Sequence, residues 1–285
     1  MQPRFSRAFP FVFVVLWSTG FIGARLGLPH TEPLTFLLIR YLAVIVLMTL
    51  VALAMRAPWP ARWRDWVHMG VAGLLLHGAY LGGVFIAISQ GLPAGVAALV
   101  VGVQPLLTAI GAGWLLGETV LRRQWLGLLL GLVGVTLVLA GKVGASFPVS
   151  ALVPAVVALV AITGGTLYQK RFCPALDWRT GSVAQFVPTA IVTALCASVF
   201  ESFRVEWTGE LVFALGWLVL VLSVGAVSLL NWLIRNSKAV NIGSLFYLVP
   251  PSTALFAWVL FGETFSGFAL FGMALTVWGV YLARK

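Results

Sequence analysis

Acidic residues are scarce in this chain: there are eight Asp and Glu among 285 residues, against eighteen Lys and Arg, and charged residues of both signs make up only 9%. A soluble globular domain uses about 25% charged residues to keep its surface in water, so that class is excluded. Cysteine is nearly absent, with Cys173 and Cys196 alone, and the three histidines His30, His68 and His77 are scattered. No disulfide framework or metal-ligand spacing results, and neither a metal nor a cofactor is expected. The phosphate loop G-x-x-x-x-G-K-[ST], the metallopeptidase helix HExxH, a clustered Asp motif and a Ser/His/Asp set are all missing. An integral membrane enzyme is therefore the weakest functional alternative.

What the chain has is apolar sequence, 61% of it, in runs of about 20 residues that suffice at 1.5 Å per residue to cross a hydrocarbon layer of about 30 Å. Runs of that kind exclude a membrane β-barrel, whose segments alternate over about ten residues. The expected fold is an all-α integral membrane protein with ten transmembrane helices, near 9–28, 34–55, 66–89, 94–116, 122–141, 148–169, 180–200, 210–233, 240–261 and 265–283. The first run has the basic start of a signal peptide but continues to about Leu28 without a small-residue cleavage site, and it reads as a retained first helix. With ten crossings, fourteen of the eighteen basic residues fall on the side of the termini, among them Arg4, Arg56, Arg122, Lys170, Arg235 and Lys285. That bias makes both termini cytoplasmic, and it explains the net charge of +10 without a nucleic-acid partner. The expected partners are the lipid bilayer and a small-molecule substrate, and a monomer is the working expectation.

Shifting the chain by 145 residues places it on itself. Glu118 meets Glu263 in two GET triplets, Pro105 meets Pro250, Thr108 meets Thr253, Gly127 meets Gly272 and Gly134 meets Gly279. Residues 1–143 and 144–285 thus read as two five-helix repeats forming one membrane domain. An odd helix number turns the second copy upside down, and inverted repeats of this kind serve alternating access in secondary transporters.

The motifs carry a resemblance as well. LWSTGFIGARLGL, PLTFLLIRYLA, FIAISQGLPAGVAALV, QPLLTAIGAGWLLGET and VPPSTALFAWVLFGET stand in the order found in the drug/metabolite transporter superfamily, and the chain resembles its ten-helix EamA type over essentially its whole length. Within that type it looks most like bacterial exporters of aromatic and other neutral amino acids. The resemblance implies a central cavity lined by two four-helix groups, with helices 5 and 10 at the periphery, in a bacterial inner membrane. A broad exporter of lipophilic cations is the runner-up, although such sites commonly use a buried carboxylate that the chain lacks.

Candidate binding groups are the polar and aromatic side chains at depth. Trp17, Ser18 and Phe21 share the first helix. His77 and Tyr80 are three residues apart on one face of the third, and histidine is the side-chain type whose ordinary titration falls near neutral pH. Gln104 stands beside Pro105, whose missing N–H frees a carbonyl one turn earlier. Thr163, Tyr168, Asn231 and Tyr247 are the second-half candidates for an inner vestibule, with interhelical hydrogen bonding as the competing explanation. Arg40, inside the second helix, needs a partner. The repeat suggests an outer Arg40–Glu263 pair and an inner Gln185–Glu118 contact; snorkelling or a substrate carboxylate are the alternatives for Arg40. The GET corners read as structural, the Gly permitting the turn and the Glu and Thr offering oxygens to the free N–H groups of the next helix.

Overall fold

The computed structural model describes residues 8–92, 94–140, 148–173, 177–261 and 266–284, and among these every regular element is helical. The first half comprises α1 (Phe9–Gly27), α2 (Pro33–Ala54), α3 (Trp63–Gly73), which runs through a π-helical turn (Leu74–Ala79) into α4 (Tyr80–Ser89), then α5 (Ala94–Val101), α6 (Gln104–Leu116) and α7 (Arg122–Ala140). The second comprises α8 (Leu152–Phe172), α9 (Trp178–Phe200), α10 (Gly209–Trp217), a second π-helical stretch (Leu218–Ala226), α11 (Val227–Asn236), α12 (Ala239–Phe246), α13 (Val249–Phe261) and α14 (Gly267–Arg284). Eight helical spans among the described residues are long and apolar enough to cross a membrane by length and composition. Large apolar side chains stand exposed along their outer faces, including Trp114, Val199, Phe200, Phe268 and Phe271, as a lipid-solvated surface requires.

Two expected single helices are broken. The run 94–116 is split by a turn at Gly102–Val103, and the run 240–261 by one at Tyr247–Leu248. In each case proline is the cause: Pro105, and Pro250 with Pro251, lack the N–H that would continue the ladder, and each sits in the first turn of the restarted helix, where no such N–H is needed. The breaks lie 145 residues apart, and so do the first residues of α2 and α9, α5 and α12, α6 and α13, and α7 and α14.

Helices α2 and α9 lie antiparallel and are clipped at both ends. At one end Glu201 accepts the free N–H groups of Leu34 and Thr35 at 2.7 Å each, capping α2. Beside it Glu32 accepts the N–H groups of Ser202 at 3.0 Å and Arg204 at 2.9 Å, and these bonds hold its carboxyl below the usual carboxylate range. At the other end Asp177 caps α9 through Arg179 N, and Thr180 Oγ1 donates to Pro58 O at 2.8 Å. Helices α7 and α14 form a second pair on glycine: a Cβ on Gly127 would stand 2.5 Å from Gly279 O, and one on Gly272 2.6 Å from Gly134 O. Small residues let the two backbones touch, the way lipid-embedded helices associate without a hydrophobic driving force.

Candidate functional site

Each π-helical segment contributes one residue, His77 or Leu222, to the lining of one interior cavity. A π turn leaves a backbone carbonyl without its regular helical donor and re-aims the side chains around it. In the first, the carbonyl of His77 takes the Tyr41 hydroxyl instead, at 2.7 Å. The His77 ring then lies nearly parallel to Phe186, 4.2 Å away. In the second, Leu222 lines the same space as His77, and Arg40, on the wall of that space, donates Nε to Ser223 Oγ at 3.0 Å. His77 and Leu222, equivalent under the 145-residue shift, thus face one another across a cavity of about 40 Å³.

Trp17, Arg40, His77, Tyr80 and Phe85 give the cavity its character, with Gly20 and Ala24 of α1 leaving room. Three residues expected at a binding site, Trp17, His77 and Tyr80, are brought together there with Arg40. Trp17 is held by Phe13 and Phe246, the latter edge-on at 5.6 Å. Arg40 is 3% exposed, and its acceptor among the described residues is a neutral hydroxyl. A guanidinium so placed beside aromatic walls can receive a carboxylate while an apolar group lies against Trp17 and Phe85.

A line of buried amides leads away from the cavity. His77 Nε2 lies 3.3 Å from Gln185 Oε1, Gln185 Nε2 donates to Gln169 Oε1 at 3.2 Å, and Gln169 Nε2 donates to Asn231 Oδ1 at 2.7 Å. Asn231 reaches a separate cavity of about 360 Å³ between the start of α1 and α11. Gln169 has no place in the expectations above, because next to Lys170 and Arg171 it reads as an exposed helix end; it is 1% exposed.

The other expected residues serve elsewhere. Ser18 Oγ donates to Val14 O at 2.7 Å and Val249 O at 3.3 Å, tying α1 to α13. Gln104 Nε2 donates to Thr108 Oγ1 at 3.0 Å. Thr163 Oγ1 donates to Leu159 O of its own helix at 2.7 Å, a local bond that uses its proton. The hydroxyl of Tyr168 lies 2.7 Å from His68 Nδ1, and Tyr247 packs against Gly131 of α7. The side chain of Phe21 and the whole of Glu263 lie outside the described residues, and with them the expected Arg40–Glu263 pair.

The expected Gln185–Glu118 contact is not formed. Gln185 is turned to His77 and Gln169, while Glu118 accepts the N–H of Ala239 at 2.9 Å and lies 3.6 Å from Lys170 Nζ. The corner glutamate therefore caps α12, not the helix that follows it; Leu121 N in that corner goes to Gln124 Oε1 instead. The Gly of the corner behaves as expected, with Gly117 in the left-handed region at φ 65°.

The sequence pattern defining the EamA-like transporter family matches residues 8–140 and, again, residues 149–284. The chain is similar to an uncharacterized inner membrane transporter, YedA, of Escherichia coli strain K12, with 27% identity over 98% of this chain and 94% of that one. It is similar to a probable amino-acid metabolite efflux pump of Salmonella typhimurium, 24% identical over 94% and 91% of the two chains. A probable terminal-alkyne amino-acid exporter of Streptantibioticus cattleyicolor is 27% identical over 95% and 91%. One solved crystal structure shares the fold at a TM-score of 0.81 and 24% identity, covering 98% of this chain and 96% of that one.

Proposed function

The chain belongs to the EamA-like transporter family, and from that premise we propose that it exports neutral amino acids, aromatic ones included, or similar amphipathic acids across a bacterial inner membrane by alternating access. The transport function itself follows from the family; substrate and mechanism are our reading. The observation that carries it is Arg40, a buried cation on the wall of an aromatic cavity whose acceptor among the described residues is the Ser223 hydroxyl. The substrate carboxylate docks on Arg40, and its side chain lies along Trp17, Tyr80 and Phe85. The exporter and efflux names carried by two relatives support the same class of solute.

Ten crossings with cytoplasmic termini, in two inverted repeats of residues 1–143 and 144–285, complete the proposal. The double family match, the helix starts recurring at 145 residues and the paired breaks all support it. Two copies in opposite orientation give inward- and outward-facing states similar energies. Export of lipophilic cations is the poorer reading, because the positive charge of Arg40 opposes such a solute.

Counterflow in proteoliposomes loaded with an amino-acid panel tests the proposal. Exchange of labelled phenylalanine or leucine by the native chain, lost in Arg40→Gln, is expected. Exchange of lipophilic cations with no amino acid exchanged overturns it.

A further inference from the structure

The cavity of about 360 Å³ between α1 and α11 shares no lining residue with the central one. Its walls include Phe9, Trp178, Ser228, Asn231, Trp232 and Arg235, with Phe9 and Trp232 edge to face at 4.9 Å. Two polar groups in this apolar wall lack a hydrogen-bond partner among the described residues: Ser228 Oγ and Asn231 Nδ2. Asn231 is 2% exposed, and a buried donor left unmade is costly, so its presence asks for a ligand.

The amide line settles which kind. Gln169 Nε2 donates to Asn231 Oδ1, Gln185 Nε2 donates to Gln169 Oε1, and Gln185 Oε1 is left facing His77. Every link points the same way, so the Nε2 of His77 carries the proton and the last member has its oxygen engaged. The unmade hydrogen bond of Asn231 is thus a donor, its N–H, just beneath the cavity wall. A ligand there must bring an oxygen acceptor, with an apolar or aromatic body for Trp178, Phe9 and Trp232, and Arg235 in the same wall favours a negative charge.

We propose that this cavity is a second solute site, on the cytoplasmic side of the central one, which holds the carboxylate of an apolar or aromatic acid at Asn231 and Ser228. Its identity as a waiting site for the transported solute rests on the transport reading above; the site itself does not. Because the amide line ends on His77, a flip of the line that turned Asn231 Oδ1 to the cavity would also make His77 Nε2 an acceptor. Occupancy of the inner site by an acid and the hydrogen-bonding face of the central site are thereby linked.

The test uses Leu229→Cys, on the wall of the same cavity, in the full chain with Cys173→Ala and Cys196→Ala, reconstituted in nanodiscs, and reads the rate of maleimide labelling. Phenylalanine and 3-phenylpropionate are expected to slow labelling roughly tenfold, while 2-phenylethylamine, which has no carboxylate, leaves it unchanged. Adding Asn231→Leu removes the protection, and so does Asn231→Asp, which keeps the size and replaces the donor with a repelling acceptor. Equal protection by the amine, or protection that survives both variants, overturns the site. Slowing that follows anionic lipid in the nanodisc and ignores both acids assigns the cavity to a lipid headgroup and also overturns it. Amino-acid counterflow by the unmodified chain is scored separately: protection without counterflow keeps the site and sinks the transported solute, and counterflow without protection does the reverse.

Discussion

Arg40 Nε stands 3.0 Å from Ser223 Oγ, and Gln185, which the 145-residue shift places on Arg40, stands 3.3 Å from His77, one position before the counterpart of Ser223. Each contact joins the second long helix of one half to the π-helical segment of the other. The fold thus makes the same exchange twice, once with a cation and a hydroxyl, once with an amide and an imidazole. Only the first presents a full charge to the cavity.

That difference predicts unequal effects. Arg40→Gln is expected to raise KM for a carboxylate substrate roughly 10- to 100-fold, the worth of a charged hydrogen bond at about 1.5–3 kcal/mol. Arg40→Lys recovers little, since an ammonium lacks the planar fork that meets a carboxylate with two parallel bonds. Ser223→Ala removes only the group that orients the guanidinium, so a smaller rise in KM is expected. Counterflow kinetics on the three variants measure the order; equal losses in Arg40→Gln and Ser223→Ala would break the argument.

Much of this arrangement is legible in residues alone. Apolar runs mark the helices and the 145-residue shift pairs them, whereas the breaks beside Pro105 and Pro250 interrupt two runs expected as continuous helices. The π turns leave no such trace, because they are held by tertiary contacts such as Tyr41 to His77 O, which no local pattern encodes. The misplaced Gln185–Glu118 contact has a geometric reason. Gln185 lies seven residues into α9, about 10 Å from its start at 1.5 Å per residue, whereas Glu118 stays at a helix corner beside the free N–H of Ala239. Gln169 was hidden by its neighbours Lys170 and Arg171, which suggest water where the chain provides Gln185 and Asn231.

The clip between Glu32 and the 202–204 backbone carries a pH signature. Its folded carboxyl is held below the ordinary value by the N–H groups of Arg204 and Ser202, so the charged form is the one that stabilises. The contribution is present above the unfolded value of about 4.3 and is lost as pH falls through the lower folded value. Protection of the Ser202 and Arg204 amides, taken relative to their intrinsic exchange rate at each pH, is therefore expected to hold at pH 5 and to fall on further acidification. In Glu32→Gln that protection is lost at every pH; protection that persists there would remove Glu32 from the account.

The glycine seam between α7 and α14 invites a paired substitution. At Gly279 a Cβ would stand 2.5 Å from Gly131 N, backbone that cannot move aside alone, whereas at Gly164 nothing lies within 4 Å. Gly279→Ala is expected to lower stability by about 1–3 kcal/mol through overpacking. Gly164→Ala, in the middle of α8, is expected to gain about 0.4–1 kcal/mol by restricting the unfolded chain. Thermal unfolding in one detergent gives both signs, and a matched response at the two positions would show that close approach is not what the seam depends on.

Lys170 gathers the ends of several helices on the side that the proposed topology makes cytoplasmic. Its ammonium donates to the carbonyls of Ile234 and Ser237 at the end of α11 and lies 3.6 Å from Glu118, which in turn caps α12 at Ala239. Opening this side must break those contacts, so weakening them shifts the population toward the open state by their difference between the two states. Glu118→Gln keeps an acceptor for Ala239 and removes only the charge, which at a partly exposed pair is worth about 0.2–1 kcal/mol. Lys170→Met also strips both carbonyls of their donor and should shift the equilibrium further. The readout is labelling of Leu116→Cys, a residue lining the space between Glu118 and Lys170, from the cytoplasmic side. The expected order of labelling rates is native, then Glu118→Gln, then Lys170→Met. Equal rates in all three would mean that this cluster holds the helix ends together without gating them.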